Sequence, residues 1–517
     1  MKRVVIVGGG IAGLAAAYRL TRETRAATVT LIESEPRLGG KIFTERAGGF
    51  LLEAGPDSFL SSKPRGLGLC RELGLAERLH GTNERLRRTF VLRGGQLYDL
   101  PEGLSGLVPS QLEPIARSQL LSAWGKLRLA GEYFIKPRPA GGDESVASFV
   151  RRRLGGEAYA RLIEPLLSGI YAGDGEQLSL AATFPQLRQT ELDQGGLMKG
   201  MLAARQAALA PAAAKGKLKK LPPFLTAPGG LGELVEALEA RLAGVEILRG
   251  VSVSALEAAE NSYVLRLSTG ETRAAEAVIL ATPAYVSADL LAGLDPSLAE
   301  SLRNIPYSST ATVYLAYPQE NLPRPLNGYG YIIPRAEGRP ILACTWASSK
   351  FPNRAPEGFG LIRIFIGRAG QPDVLAQDDD ALVALARAEL AGTLDIQAPP
   401  AFQRVFRWPR AMPQYNLGHL ERLAAIDKRL AGLPGLFVAG NAYRGVGLPD
   451  CIASGEAAAE RAAAVVGGPR WICTAEYAER AEKSKKAEGG RQEAGGTFST
   501  GRNGVDYNRA NSIALSN

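Results

Sequence analysis

The stretch RVVIVGGGIAGLAAAYRL, from Arg3 to Leu20, constrains the fold more than any other part of the chain. Val4–Val7 is a short β-branched run of the kind found in buried parallel strands. A GxGxxG pattern follows from Gly8, and apolar residues then recur at helical spacing. Strand, glycine turn and helix together predict a site for a dinucleotide, because the amides at a helix N-terminus bind phosphate.

A second element decides between this interpretation and a secretory signal peptide, which also shows a basic start and an apolar run. Val29–Ile32 is predicted to be the next strand, and Glu33 follows it directly. An acid about twenty residues beyond the glycine turn is placed to bind the ribose of an adenosine. A signal peptide needs neither the second strand nor the acid, so nucleotide binding is the favoured interpretation.

A second glycine turn favours FAD over a nicotinamide cofactor. The sequence SEPRLGGKIFT after Glu33 places Arg37 and Lys41 on either side of two glycines. FAD binds in an extended form, so a second loop can approach its pyrophosphate, whereas a simple dehydrogenase has no need of one. Taken alone, this turn is also compatible with an ordinary polar loop. The following Gly55-Pro56 turn can present Asp57 and Ser58 to a flavin ring.

The other end of the chain repeats this pattern in LFVAGNAYRGVGLPDCIASGEAAAE. We expect a strand at Leu436–Ala439, a glycine-bearing loop, and a helix over Ile452–Ala464. A helix N-terminus after such a loop can stabilise negative charge on a flavin. Both chain ends are therefore expected to build one cofactor domain.

The residue composition argues against several kinds of site and partner. None of the four cysteines stands at CxxC spacing, and only two histidines occur, so neither a metal site nor a disulfide framework is expected. The net charge of +9 is accompanied by no RNP-like, zinc-finger or helix-turn-helix pattern, so nucleic acid is not an expected partner. No apolar run reaches the ~18–20 residues of a membrane span. We expect a cytoplasmic protein, with peripheral contact to the membrane as an open alternative.

Five stretches extend the argument to a family: LLEAGPDSFL, LIEPLLSGIYAGDGEQLSLAATFPQL, ACTWASSKFPNRAPEG, RWPRAMPQYNLGH and GVGLPDCI. Together with the glycine turns, they resemble the bacterial FAD-dependent porphyrinogen oxidases of haem synthesis, within the flavin amine-oxidase superfamily. The resemblance covers about residues 1–467. It implies an oxygen-dependent FAD oxidoreductase acting on CH–CH groups, which oxidises coproporphyrinogen III to coproporphyrin III with O2 and releases H2O2. Protoporphyrinogen IX is the alternative substrate, and a ferrochelatase acting on the product is the implied partner.

The expected fold class is α/β, with three parts and a tail. Residues 1–60, 225–290 and 400–467 form a discontinuous Rossmann-like FAD domain. Residues 85–215 form a helical domain, and the alternating apolar pattern of 291–400 predicts an antiparallel sheet that binds substrate. Residues 471–517 are polar and glycine-rich, which is typical of a disordered tail.

The resemblance also implies a set of FAD-binding residues spread over both chain ends. Asn441 departs from the wider superfamily, where many relatives carry an acid. The full set is Gly8, Gly9, Gly10, Ile11, Ala12, Gly13, Glu33, Ser34, Arg37, Gly40, Lys41, Gly55, Pro56, Asp57, Ser58, Val253, Ala281, Trp408, Gly440, Asn441, Val446, Gly447 and Leu448.

For the substrate, the anionic propionates of a porphyrinogen require a cation. Lys63 follows the flavin loop and is the candidate anchor, although an exposed surface lysine would look the same. Ile170, Tyr171 and Phe365 are candidate pocket walls, with core packing as the alternative for each. No residue stands out as a general base. The oligomeric state stays open.

Three further alternatives remain open. Residues 197–224 combine basic and apolar residues, which suits either an anionic lipid surface or a solvated face. The cofactor motifs alone also fit an amine oxidase or a desaturase. A non-enzymatic FAD-binding protein is the remaining class.

Overall fold

The structure is a computed structural model that describes residues 1–23, 27–105, 108–109, 111–139, 141–209, 221–371 and 374–467. The expected tail at 471–517 and residues 210–220 of the basic segment lie outside the described residues. Among the described helices, none combines the length and apolar character that crossing a bilayer requires.

In chain order the strands are β1 (Lys2–Val7), β2 (Ala27–Glu33), β3 (Thr44–Ala47), β4 (Phe50–Glu53), β5 (Phe59–Leu60), β6 (Thr89–Arg93), β7 (Gln96–Asp99), β8 (Leu104–Ser105), β9 (Val108–Pro109), β10 (Phe224–Leu225), β11 (Val245–Arg249), β12 (Val253–Ala259), β13 (Ser262–Leu267), β14 (Thr272–Ala275), β15 (Ala277–Leu280), β16 (Tyr307–Pro318), β17 (Gly330–Ile332), β18 (Ile341–Trp346), β19 (Phe359–Ile366), β20 (Phe402–Pro413) and β21 (Leu436–Val438).

The α-helices are α1 (Ile11–Glu23), α2 (Pro64–Glu72), α3 (Leu112–Arg117), α4 (Ala123–Ala130), α5 (Val146–Leu154), α6 (Gly156–Ala158), α7 (Glu164–Tyr171), α8 (Leu180–Thr183), α9 (Pro185–Gln194), α10 (Leu197–Leu209), α11 (Gly232–Glu239), α12 (Ala284–Leu291), α13 (Pro296–Arg303), α14 (Ala347–Lys350), α15 (Asp379–Leu394), α16 (His419–Leu430) and α17 (Leu448–Gly467). Short 3₁₀ turns include Gly131–Phe134 and Arg335–Glu337, and Tyr159–Ile163 forms a π-helical turn before α7.

A five-stranded parallel sheet in the order β11-β2-β1-β15-β21 unites segments from both chain ends. Side chains of β1 alternate between two cores. Val4 and Ile6 pack with α1 and α17, whereas Val5 and Val7 pack against the small antiparallel sheet β12-β13-β14 and α12. The loops that follow the carboxyl ends of β1, β15 and β21 therefore meet at one edge, where ligands bind in such sheets.

The second large sheet has the order β20-β16-β19-β18-β17-β6-β7. Its pairings are antiparallel except for the parallel pair of β17 with β6. Two expected boundaries differ from this pairing. β20 was assigned by sequence to the FAD segment 400–467 but pairs with β16, and β6 and β7 from the segment expected to be helical complete the other edge. Both edges are joined by pairings distant in sequence, which local pattern does not reveal.

A third core of buried apolar side chains lies among helices α3 to α10, and both α5 and α7 contribute to it. Within the segment expected to be helical, 85–215, helices α3 to α10 lie between residues 112 and 209. Val446, which precedes α17, packs against this third core, as does Ile170 of α7. The helical region thus borders the loop that follows β21, at the edge where the FAD-domain loops converge.

Candidate active site

The first glycine turn is closed toward the protein and open on one side. Gly8 has φ +103°, and its N–H donates to the carbonyl oxygen of Ile32 at 2.7 Å. A Cβ on Gly13 would overlap the carbonyl oxygen of Gly8, so only glycine lets α1 approach the turn this closely. A Cβ on Gly10, by contrast, would meet no heavy atom within 4 Å. Gly10 therefore faces free space at the start of α1, as a pyrophosphate site requires.

Glu33 is fixed at the end of β2 by polar contacts around its carboxylate. Its side chain is buried and accepts the N–H of Gly9 at 2.6 Å and the N–H of Glu35 at 2.9 Å. The Ser34 hydroxyl donates to it at 3.2 Å. The N–H of Val251 donates to the backbone carbonyl of Glu33 at 3.0 Å, which brings the start of β12 at Val253 beside it. Glu33 and the start of β12 thus lie together, at the place where an adenosine would bind.

The second glycine turn packs directly on the first. The N–H of Gly39 donates to the carbonyl oxygen of Gly9 at 2.9 Å. Arg37 donates to the carbonyl oxygens of Leu38, Gly40 and Ile42, at 3.3, 2.8 and 3.4 Å. Arg37 therefore fixes the shape of the turn from within.

Lys41 is the cation that this turn contributes to the cleft. Burial lowers the pKa of Lys41, and the neighbouring Cys451 of α17 offsets part of that effect. Within the described residues Lys41 makes no ion pair with an acidic side chain. A partly desolvated cation without a carboxylate partner, beside an open glycine turn, suits a phosphate group.

The Ala54–Ser58 loop is held by side chains of the seven-stranded sheet. Trp408 Nε1 of β20 donates to the carbonyl oxygen of Ala54 at 2.8 Å. Arg363 of β19 donates to the carbonyl oxygen of Gly55 at 2.7 Å. The sheet therefore fixes the loop whose residues were expected to face the flavin.

Asp57 in this loop is paired with Lys350, whose Nζ lies 3.0 Å from the Asp57 carboxylate. Ser58 Oγ donates to the same carboxylate at 2.7 Å. Burial alone would raise the pKa of Asp57, but the charges of Lys350 and Arg363 outweigh it and hold the pKa well below its usual value. Asp57 is therefore ionised and compensated, which makes it an anchor of the loop rather than a proton acceptor.

The start of α17 closes the other side of the cleft. A Cβ on Gly455 would overlap the carbonyl oxygen of Ala12, so α17 packs directly on α1. Gly440 has φ +120° and donates its N–H to Ser454 Oγ at 3.1 Å, which ties the end of the last parallel strand to α17. The helix begins at Leu448, earlier than the Ile452 expected from sequence. Cys451 in the first turn of this helix is close enough to Lys41 to affect its pKa, so the first turn lies beside Lys41.

The predicted substrate residues fall into two groups. Lys63 Nζ lies 2.6 Å from an Asp450 carboxylate oxygen, so its charge is already paired within the chain. Burial, together with the carboxylate of Asp450, raises the pKa of Tyr171, so this tyrosine keeps its proton. Lys63, Asp450 and Tyr171 thus share one environment at the start of α17, with Ile170 on the same helix as Tyr171. Phe365 lies on β19, where the Arg363 guanidinium stands 4.4 Å from its ring centroid.

Sequence reasoning missed three residues that organise the cleft: Lys350, Arg363 and Asp450. Lys350 stands in the quoted ACTWASSKFPNRAPEG stretch, and Arg363 interrupts an apolar strand pattern. A charge within a buried strand is a signal of a specific partner. The partners themselves lie hundreds of residues away in sequence, so only the fold reveals them.

Residues 11–463 match the family described as flavin containing amine oxidoreductase. The chain belongs to this family. Its fold class is α/β, its cofactor is FAD and its activity is that of an oxidoreductase, so these expectations are confirmed. The open glycine turn fits this cofactor, as does Lys41, which makes no ion pair with an acidic side chain in the described part of the chain.

Three relatives of this family member are similar over nearly their whole length. Coproporphyrinogen III oxidase of Bacillus subtilis (strain 168) is 37% identical, over 88% of this chain and 97% of the relative. Human protoporphyrinogen oxidase is 33% identical, over 89% of this chain and 98% of the relative. A crystal structure from Exiguobacterium sp. 255-15 has a TM-score of 0.79 at 34% identity and covers 89% of this chain and 98% of its own. The resemblance to porphyrinogen oxidases is thereby confirmed.

Proposed function

We propose that this protein oxidises coproporphyrinogen III to coproporphyrin III, with O2 as the acceptor and H2O2 as the second product. The observation that carries the proposal is the similarity to the Bacillus subtilis coproporphyrinogen III oxidase, which extends over 97% of that enzyme. Each reaction consumes three molecules of O2 for one porphyrinogen and yields three of H2O2. Protoporphyrinogen IX is the second candidate substrate, because the human relative is named for it.

For the cofactor, we assign the pyrophosphate of FAD to the space in front of Gly10 and Lys41, and its adenosine to Glu33 and Val253. The Gly55–Ser58 loop and the start of α17 would then hold the flavin ring. When bound, FAD supplies the redox chemistry, since it accepts hydrogen from the substrate and is reoxidised by oxygen. The residues of the two glycine turns and of 440–448 bind and orient it.

The chain's own contribution to chemistry is orientation and electrostatics rather than proton transfer. Asp57 is held ionised by Lys350, and Tyr171 is held protonated by burial. Neither has a pKa near neutrality, which general acid–base catalysis favours. The proposed roles of the protein are therefore to bind the macrocycle beside the flavin and to limit the access of water.

The choice between the two porphyrinogens depends on the number of propionates that the cleft must bind. Coproporphyrinogen carries propionates where protoporphyrinogen carries vinyl groups, so it gains more from a cation at the rim. Lys63, at 32% side-chain exposure, is reachable from solvent while paired with Asp450. A propionate that approaches Lys63 would share the cation with Asp450.

A substrate panel tests the proposal. The purified protein is supplied anaerobically with each porphyrinogen or with amines, oxygen is then admitted, and porphyrin fluorescence and peroxide are followed. We expect fluorescence with both porphyrinogens, a higher kcat/KM for coproporphyrinogen III, and peroxide in a 3:1 ratio to porphyrin. Peroxide formed only with amines would identify an amine oxidase, and a yellow protein inactive with every substrate would support a binding role.

We further propose that this protein is cytoplasmic and that its helical region, α3 to α10, contacts an anionic lipid surface. Trp124 and Leu127 of α4 are 79% and 61% exposed, and Phe134 in the following turn is 83% exposed. Lys199 of α10 stands 5.1 Å from the ring of the exposed Tyr133, which places a cation beside these apolar side chains. Exposed aromatic residues with adjacent lysines suit a membrane interface. A ferrochelatase that accepts the product would be a partner acting after this reaction.

A further inference from the structure

The loop over residues 441–447 is the segment that carries α17 to the flavin cleft. It follows the strand β21 and contains no regular secondary structure. Its residues Val446 and Gly447 belong to the set expected to contact FAD. Something other than a sheet or a helix must therefore hold its backbone.

One tyrosine hydroxyl ties the two ends of this loop together. Tyr415 Oη donates to the carbonyl oxygen of Asn441 at 2.6 Å and accepts the N–H of Gly445 at 2.8 Å. The side chain is 1% exposed, so water cannot replace either contact.

A second ring holds the middle of the same loop. His419 is fully buried, and its Nε2 lies 2.9 Å from the carbonyl oxygen of Tyr443. Because a carbonyl oxygen only accepts, Nε2 carries the proton, and burial lowers the pKa of His419, which favours the neutral ring. The Tyr415 and His419 rings are stacked, with centroids 4.1 Å apart and planes 12° apart.

The segment that carries both rings is itself anchored on the far side. The N–H of Ser179 donates to the carbonyl oxygen of Tyr415 at 2.8 Å, and the N–H of Leu417 donates to the carbonyl oxygen of Gln177 at 2.8 Å. Gln414 donates to the carbonyl oxygen of Tyr171 at 2.8 Å. The helical region therefore supports the rings from one side, while the rings support the loop from the other.

We propose that Tyr415 is a positioning residue for FAD, because its hydroxyl sets the shape of loop 441–447 and thereby the approach of the α17 N-terminus to the flavin. The inference rests on the flavin placement proposed above. With the hydroxyl absent, Asn441 O and Gly445 N lose a buried partner and the loop relaxes. The positive end of α17 then lies less favourably toward negative charge on the reduced flavin.

The test is Tyr415→Phe, which removes both hydrogen bonds and keeps the stacked ring. The control is Tyr263→Phe, because the Tyr263 hydroxyl also donates to a backbone carbonyl, that of Pro434, at 2.9 Å, and its side chain is also buried. FAD affinity, the flavin midpoint potential and the visible circular dichroism of the bound flavin are measured on each protein.

We expect the FAD dissociation constant of Tyr415→Phe to rise about tenfold, since two buried hydrogen bonds are lost. Its midpoint potential should fall and its flavin circular dichroism should change, while Tyr263→Phe matches the wild type in all three. Equal affinity and potential in Tyr415→Phe and wild type would overturn the inference, as would equal shifts in both variants.

If Tyr415→Phe does not fold, amide hydrogen exchange of the wild-type holoenzyme tests the same inference. The Gly445 amide should exchange as slowly as the amides of α17, and rapid exchange would overturn the proposed role of Tyr415. Failure of the wild type to bind FAD at all would instead overturn the flavin placement, so the two failures are distinguishable.

Discussion

The two glycines Gly10 and Gly13 stand three residues apart in the first turn. Alanine should nevertheless lower the free energy of unfolding at Gly13 and should not lower it at Gly10. A Cβ on Gly13 would lie 1.9 Å from the carbonyl oxygen of Gly8, whereas a Cβ on Gly10 would meet nothing within 4 Å. Carbon and oxygen need about 3.3 Å between them, so Gly13→Ala must displace α1 or the turn by more than ~1 Å. Overpacking of this kind costs about 3 kcal/mol or more in the free energy of unfolding.

Gly10→Ala should leave the protein without FAD as stable as wild type or slightly more stable. Its φ lies outside the left-handed region, and an alanine there reduces the freedom of the unfolded chain by ~0.4–1 kcal/mol. The new methyl group would instead occupy the space proposed for the pyrophosphate. A steric penalty of ~1–3 kcal/mol corresponds to about a 10- to 100-fold rise in the FAD dissociation constant.

The assay combines two measurements on both variants. Denaturant unfolding of the FAD-free proteins gives the stability of each, and quenching of FAD fluorescence gives affinity. Gly13→Ala should lose stability, while Gly10→Ala should lose affinity alone. Wild-type FAD affinity in Gly10→Ala would refute the assignment of the pyrophosphate to the front of this turn.

The remaining predictions concern charge and surface. Lys63→Ala should raise KM several-fold, and more for coproporphyrinogen III than for protoporphyrinogen IX, with FAD still bound; steady-state kinetics that show equal KM values would remove Lys63 from the substrate site. The low pKa of Asp57 implies stability that is present above the unfolded pKa of ~3.9 and lost as pH falls through the folded value. Lys350→Met should therefore lower the free energy of unfolding by about 2 kcal/mol at pH 7, because it leaves a buried carboxylate without its nearest cation. The difference from wild type in urea unfolding should shrink toward pH 3. A difference independent of pH would contradict the ion pair. Trp124→Glu combined with Phe134→Glu should abolish co-sedimentation with phosphatidylserine vesicles and leave FAD content unchanged, and undiminished sedimentation would exclude this surface.

Much of the cofactor half of the molecule follows from local pattern. The strand predicted at Val4–Val7 lies within β1, that at Val29–Ile32 lies within β2, and the strand predicted near Leu436 is β21. The glycine turn could be placed because its neighbours in sequence are also its neighbours in space. The same holds for Glu33, whose carboxylate contacts Gly9 across a single βαβ unit.

The partners of the substrate residues could not be predicted in this way. Lys63 stays a predicted propionate anchor, and within the chain the fold pairs it with Asp450, 387 residues away. β20 was expected in the FAD domain, and pairing with β16 places it in the other sheet. Each of these contacts depends on sheet order and register, which the alternation of apolar residues along one strand leaves unspecified.

The sequence by itself determined that this chain binds a dinucleotide and uses FAD, because a glycine turn, a helix N-terminus and an acid act through backbone geometry that is encoded locally. The tertiary structure alone decided how the cleft is held. Arg363 reaches Gly55 across 308 residues, and the Tyr415 hydroxyl closes a loop 26 residues further along the chain. Such contacts form only once separate sheets and helices have packed, so their energies depend on the whole fold rather than on any one segment.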